Sequence, residues 1–149
     1  VPPLSCTVMV QKELGERMAA GPGGKDYGDL SVTVRYYADP AKVIDVPPSS
    51  FIPAPKVDSV VLKLKPKEKA PVEPGNKEFF FRVVEASFAH RRKTLVNSLS
   101  SANDTRLDKE KIVCALNELK EKYPDIDENI RAEKLSIFEF CDLSDILNR

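Results

Sequence analysis

Four prolines fall within the nine residues Pro47-Pro48-Ser49-Ser50-Phe51-Ile52-Pro53-Ala54-Pro55, and no other feature of the chain restricts its backbone so tightly. Each ring fixes φ at about −65° and removes an N–H that a helix or an interior strand requires. The segment must therefore be a stiff, ordered loop, and strand-like runs flank it on both sides. Lys42-Val43-Ile44-Asp45-Val46 precedes it, after a break expected at Asp39-Pro40. Val57 to Leu64 follows, with Val60, Leu62 and Leu64 facing one way and Ser59, Val61, Lys63 and Lys65 the other. A third short β-branched stretch, Thr7 to Val10, is of the kind that forms a buried strand with neighbours on both sides.

Helical patterns fill the rest. Gln11 to Met18 places Leu14 and Met18 on one face and stops at Gly21-Pro22-Gly23-Gly24. Tyr27 to Tyr37 fits either period, because Val32 and Val34 alternate while Leu30, Val34 and Tyr37 match helical spacing. The Pro-, Lys- and Glu-rich stretch from Pro66 to Gly75 reads as a linker, dividing the chain into 1–66, 67–75 and 76–149. Beyond it, Asn76 is expected to cap one helix running to about Leu99, with Phe81, Val84, Phe88, Leu95 and Leu99 on a stripe. Asp108 is expected to cap Lys109 to Lys122, with Ile112, Leu116 and Leu119 inward and Tyr123-Pro124 as the stop. A short turn at Ile126 to Ile130 and a helix from Leu135 to Leu147 follow, with Phe138, Leu143 and Ile146 as core candidates.

With 149 residues, 42% of them hydrophobic, the chain can bury one ordinary core or two small lobes. Lys plus Arg equals Asp plus Glu at 23 each, so any case for an acidic partner rests on local clustering. Cys6, Cys114 and Cys141 are far apart and lack zinc or redox spacing, and are expected as buried free thiols in a reducing cytosol. No apolar run approaches the roughly 20 residues that cross a bilayer, so no membrane partner and a cytoplasmic location are expected. His90 is the only histidine, which excludes a zinc site built on histidines and leaves a Ser-His-Asp triad resting on one residue in a cationic run. Gly21-Pro22-Gly23-Gly24-Lys25 lacks the spacing of a phosphate loop.

Two elements could carry chemistry. Phe51 either plugs the core at a sheet corner, which composition alone favours, or offers a rigid face to a base extruded from its stack. Arg91, Arg92 and Lys93, expected in mid-helix, fan across a wide arc, so one flanks the core side. Such an Arg can bridge two lobes, contact phosphate or snorkel from a solvated face. Lys56, Lys63, Lys65, Lys67 and Lys69 add a second positive stretch, so basic charge concentrates in the middle of the chain, with Lys56, Arg91, Arg92 and Lys93 as RNA-binding candidates.

In order along the chain stand Met9-Val10-Gln11-Lys12-Glu13 with Arg17, Gly21-Pro22, and Lys25-Asp26-Tyr27-Gly28 with Leu30-Ser31-Val32. Then come Val46-Pro47-Pro48-Ser49-Ser50-Phe51 with Pro53, Pro55-Lys56-Val57-Asp58-Ser59-Val60-Val61, and Phe88 with Arg91-Arg92-Lys93-Thr94-Leu95 and Asn97. This series resembles the bacterial 16S ribosomal RNA adenine dimethyltransferases, whose loss gives kasugamycin resistance. The resemblance implies an α/β fold, the C-terminal remnant of a Rossmann-like methyltransferase sheet followed by a small all-α domain. It implies transfer of methyl groups from S-adenosylmethionine to N6 of two adjacent adenosines near the 3′ end of 16S rRNA in the small ribosomal subunit. It makes Phe51 the aromatic that stacks on the target adenine, and Tyr27 to Tyr37 a helix.

The family's glycine-rich loop, donor-binding acids and Asn-Leu-Pro-Tyr motif have no match in this sequence. Without acceptors to orient it, the delocalised adenine amine is a poor nucleophile. This chain is therefore expected to be a fragment, inactive alone and holding neither donor nor metal. Its three strands should stay adjacent, Val57 to Leu64 antiparallel in the middle, leaving Thr7 to Val10 an open edge for pairing with another copy. Two readings from other classes remain: a non-catalytic RNA-binding module of small-subunit assembly, and a structural helical adaptor.

Overall fold

β3 (Ser59–Pro66) is the middle strand of a three-stranded sheet, antiparallel to both β1 (Cys6–Gln11) and β2 (Ala38–Val46). The computed structural model describes residues 3–103 and 105–149. Val8 lies opposite Leu62 and Val10 opposite Val60, so the buried face of β3 continues across the sheet. The alternation along β3 agrees with its sequence, Val60 and Leu62 being buried and Lys63 and Lys65 exposed.

The helical run ends before Asp39-Pro40, as expected, but the strand that follows starts earlier than Lys42. β2 starts at Ala38, directly after α2 (Asp29–Tyr37), and Pro40 sits within it opposite Leu64. A proline fits there because β2 is an edge strand whose missing donor leaves no central ladder broken. A register shift between Lys42 and Ile44 adds a bulge to the same edge.

α1 (Lys12–Ala19) follows β1 without a loop and lies on the sheet through Gly15. A Cβ at Gly15 would stand 2.2 Å from Val60 Cγ1, so only a residue without a side chain permits this approach. The end of α1 is closed from α2: Arg35 donates through Nε to the Ala20 carbonyl at 2.9 Å and through Nη2 to Ala19 at 2.8 Å.

The helices after Gly75 are α3 (Lys77–Phe88), α4 (Leu95–Ser100), α5 (Lys109–Lys122) and α6 (Ile137–Leu147). Asn76 and Asp108 cap α3 and α5 as expected, accepting from Phe79 N at 3.0 Å and Lys111 N at 2.7 Å. Ser136 and Glu139 form a reciprocal cap on α6. Phe80, Val83, Leu99, Ile112, Leu116, Phe140 and Leu143 fill the space between them. Tyr27, Val32 and Tyr36 belong to the same cluster, and Ala70 and Val72 of the 67–75 stretch pack against it. None of the helices among the described residues is long and apolar enough to cross a membrane.

Several expectations need correction. The helix expected from Asn76 to Leu99 is two helices with a turn over 89–93. Thr94 offers a competing start inside the run, its Oγ1 accepting from the Asn97 backbone N–H at 3.4 Å as an N-cap does. Phe138, expected in the core, is 54% exposed, because the register of α6 buries Phe140 in its place. Cys6 and Cys114 are exposed and only Cys141 is buried. The short turn expected at Ile126 to Ile130 is present, with Ile126 itself buried.

Candidate nucleic-acid interface

Phe51 ends a single 3-10 turn, Pro48–Ser50, in the connection between β2 and β3. Ser50 N donates to the Pro47 carbonyl at 3.0 Å and Phe51 N to the Pro48 carbonyl at 3.1 Å, so the turn holds its own backbone groups. The ring is half-buried and stands outside the cluster that takes in Phe79, Phe80 and Phe140. Residues 52–58 after it are exposed. The packing role that composition favoured thus accounts for only part of the ring's surface.

Lys56 lies in a depression of about 380 Å³ lined also by Gln11, Lys12, Glu13, Glu16, Val57 and Asp58. The loop end is fixed there, since Lys12 N donates to the Asp58 carbonyl at 2.9 Å. Lys12 was not singled out from sequence as a binding residue, although it stands in the Gln-Lys-Glu motif; its place beside Lys56 depends on that long-range backbone bond. The two lysines share the depression with three carboxylates, so it is no simple cationic trough.

The second basic element is the turn itself. His90, Arg91, Arg92 and Lys93 are all exposed and surround a depression of about 400 Å³. The turn is closed by Lys93 N donating to the His90 carbonyl at 2.9 Å. It is anchored by Ser98 Oγ, buried, donating to the Ala86 carbonyl at 2.7 Å, and by Leu95 N donating to Ile130 at 2.8 Å. Arg91 differs from its neighbours: its Nη2 donates to the Lys25 carbonyl at 2.5 Å and to the Tyr27 carbonyl at 2.8 Å. Among the described residues, Arg92 and Lys93 take part in no ion pair. Of the lysines along the second positive stretch, Lys67 is paired with Asp39.

No group of three or more His, Cys, Asp or Glu among the described residues is arranged to hold a metal ion. A stiff loop with a half-buried aromatic side chain and an exposed basic turn outside regular structure are each of a kind that can support a nucleic acid, the one by stacking and the other by charge.

The fold is a mixed α/β arrangement of the Rossmann-like kind found in ribosomal RNA methyltransferases. It overlays on a crystal structure of a dimethyladenosine transferase from Plasmodium falciparum with a TM-score of 0.69 and 30% identity, over 93% of this chain and 55% of that one. The 23S rRNA methyltransferase ErmE shares the fold at a TM-score of 0.60 and 18% identity, over 97% of this chain and 55% of that one.

Residues 3–149 match the family described as ribosomal RNA adenine dimethylase, and the chain belongs to that family. It is 45% identical to the ribosomal RNA small subunit methyltransferase A of Lachnoclostridium phytofermentans, over 99% of this chain and 49% of the relative. To the protein of the same name from Bacillus cytotoxicus it is 49% identical, over 94% of this chain and 47% of the relative. The chain thus spans about half the length of the curated relatives it matches.

Proposed function

We propose that this chain is the RNA-facing portion of an enzyme that dimethylates N6 of two adjacent adenosines near the 3′ end of 16S rRNA, with S-adenosylmethionine as donor. The observation that carries the reading is the place of Phe51, half-buried outside the core on a self-bonded proline turn between β2 and β3. A base taken out of its stack loses a few kcal/mol, and a fixed aromatic face returns about 1–3 kcal/mol of that. Phe51 is the group on which the adenine lies, and Lys56, Arg92 and Lys93 meet phosphate. The small ribosomal subunit is the partner.

The donor has no fitting cradle among the described residues. β1 runs into α1 with no loop between them, and the glycine-rich stretch 21–24 is occupied with its own structure, Gly23 N donating to Glu133 at 2.7 Å and Gly24 N to Gly21. Methylation by this chain alone is therefore not expected.

The division into a methyltransferase portion, 1–66, a connecting stretch, 67–75, and a helical domain, 76–149, is part of the same reading. It is supported by the lack of regular structure between Pro66 and Lys77 and by the all-helical elements beyond. β1 offers its free edge to a second copy: its six residues, CTVMVQ, carry no charge and no proline.

Fluorescence anisotropy with a labelled 16S 3′ hairpin tests the proposal. Binding should weaken steeply between 50 and 200 mM salt, as expected for phosphate contacts. Phe51→Ala should weaken it by roughly 5- to 150-fold, the loss of one stacked base. Absence of binding at low salt, or indifference to Phe51→Ala, would contradict it.

A further inference from the structure

The basic turn does not present its cations equivalently, and this rests on the RNA-binding reading above. Each N–H of the Arg91 Nη2 is engaged by a backbone carbonyl, one from Lys25 and one from Tyr27. Those carbonyls belong to the loop between α1 and α2, 66 and 64 residues earlier in the chain.

That loop is itself anchored on its inner side. The Tyr27 ring is buried, meets Phe88 edge-on at 5.6 Å, and its hydroxyl donates to the Leu135 carbonyl at 2.9 Å. Gly23, at φ +85°, turns the chain through the left-handed region that favours glycine. The loop is therefore a fixed base, and the guanidinium is the tie that holds the exposed turn against it.

The same geometry brings Lys25 to the turn. Its carbonyl touches the Arg91 guanidinium while its residue is exposed, and among the described residues its amine takes part in no ion pair. We infer that Arg91 is a positioning residue which fixes the turn without contacting RNA, and that the phosphate-facing surface is a composite of Lys25, Arg92 and Lys93.

The planar fork of arginine carries Nη2 an atom further from the backbone than a lysine Nζ and holds its N–H groups in a fixed plane, whereas a lysine amine keeps the charge on a shorter, freely rotating stem. Charge and fork are thus separable by substitution. A phosphate contact is retained in large part by Arg91→Lys; a backbone tie is not.

The test uses the full chain and the same hairpin, with affinity measured across a salt series for wild type and for Lys25→Ala, Arg91→Ala, Arg91→Lys, Arg92→Ala and Lys93→Ala. Lys25→Ala, Arg92→Ala and Lys93→Ala should each reduce the slope of log K against log salt by about one. Arg91→Ala should weaken binding several-fold at every salt concentration with the slope unchanged, and Arg91→Lys should resemble Arg91→Ala. Limited trypsin digestion without RNA supplies a second readout, with cleavage after Lys25 several-fold faster in both Arg91 variants than in wild type.

A lower slope for Arg91→Ala restored by Arg91→Lys would make Arg91 a phosphate contact and overturn the inference. An unchanged slope for Lys25→Ala would remove Lys25 from the surface and overturn it equally. Should wild type fail to bind the hairpin, the proposed function falls, and the tie is still judged by proteolysis: unchanged cleavage after Lys25 defeats it.

Discussion

The Tyr27 hydroxyl donates to the Leu135 carbonyl at 2.9 Å, a buried bond between residues 108 apart in sequence. It joins the loop after α1 to the approach to α6, so one phenol couples the sheet side of the chain to its last helix. Tyr27→Phe keeps the ring and its contact with Phe88 but leaves the Leu135 carbonyl unpaired. We expect a loss of about 1–3 kcal/mol in urea unfolding.

The same phenol sets an alkaline limit. Burial raises the Tyr27 pKa far above its ordinary value, the nearby Arg35 opposing and Glu139 assisting. The unfolded chain therefore releases this proton first as pH rises, and the folded state binds more protons above about pH 10. Stability from Tyr27 is fully present below that pH and declines above it. Thermal unfolding followed from pH 8 to 11 should show a steeper alkaline decline in wild type than in Tyr27→Phe.

Gly15 and Val60 occupy one space. Gly15→Ala places a methyl 2.2 Å from Val60 Cγ1, and overpacking of that kind costs about 1–3 kcal/mol. Because Val60 makes the severe overlap, with Val10 Cγ2 next at 3.3 Å, Val60→Ala in the same chain should recover part of the loss, a coupling that a double-mutant cycle measures directly.

The three thiols should separate by reactivity. Cys6 and Cys114 are exposed, whereas Cys141 is buried and its thiol is pushed up to about 11, by burial first and then by the Asp145 and Asp142 carboxylates. With a disulfide reagent at pH 8, two equivalents should react quickly and the third only on unfolding.

The two sheet edges make opposite predictions about association. β2 carries Asp39, Pro40, Lys42 and Asp45 together with a bulge, all of which discourage pairing. β1 has none of these, and Met9 on it is 53% exposed. Sedimentation should show concentration-dependent association that Met9→Lys suppresses; a monomer at all concentrations would count against pairing through β1.

What could be read from the sequence was what local chemistry decides. The alternation Val60, Leu62, Leu64 identified β3, and Asn76 and Asp108 announced the starts of α3 and α5 by the oxygen each side chain supplies. The division of α3 from α4 was not legible from periodicity, because Phe81 to Leu99 keeps an apolar stripe through the turn. Thr94 was its local signal, and the long-range bond from Leu95 N to Ile130 confirms the turn only in three dimensions. Phe138 and Phe140 compete for one core position two residues apart, and a fraction of a helical turn decides between them. For the interface, Phe51 and the run 91–93 stand out as residues, but the engagement of Arg91 by Lys25 and Tyr27 could not be read from spacing.

In the proposed function Phe51 presents its ring to a purine. The chain contains no tryptophan, so Phe51→Trp places a single indole at that position. Its emission should be partly solvent-shifted in the free protein and quenched saturably by the 16S hairpin, with no quenching when the two target adenosines are replaced by abasic sites. A blue-shifted emission that the adenosine hairpin leaves unchanged would show a ring committed to the interior and contradict the account.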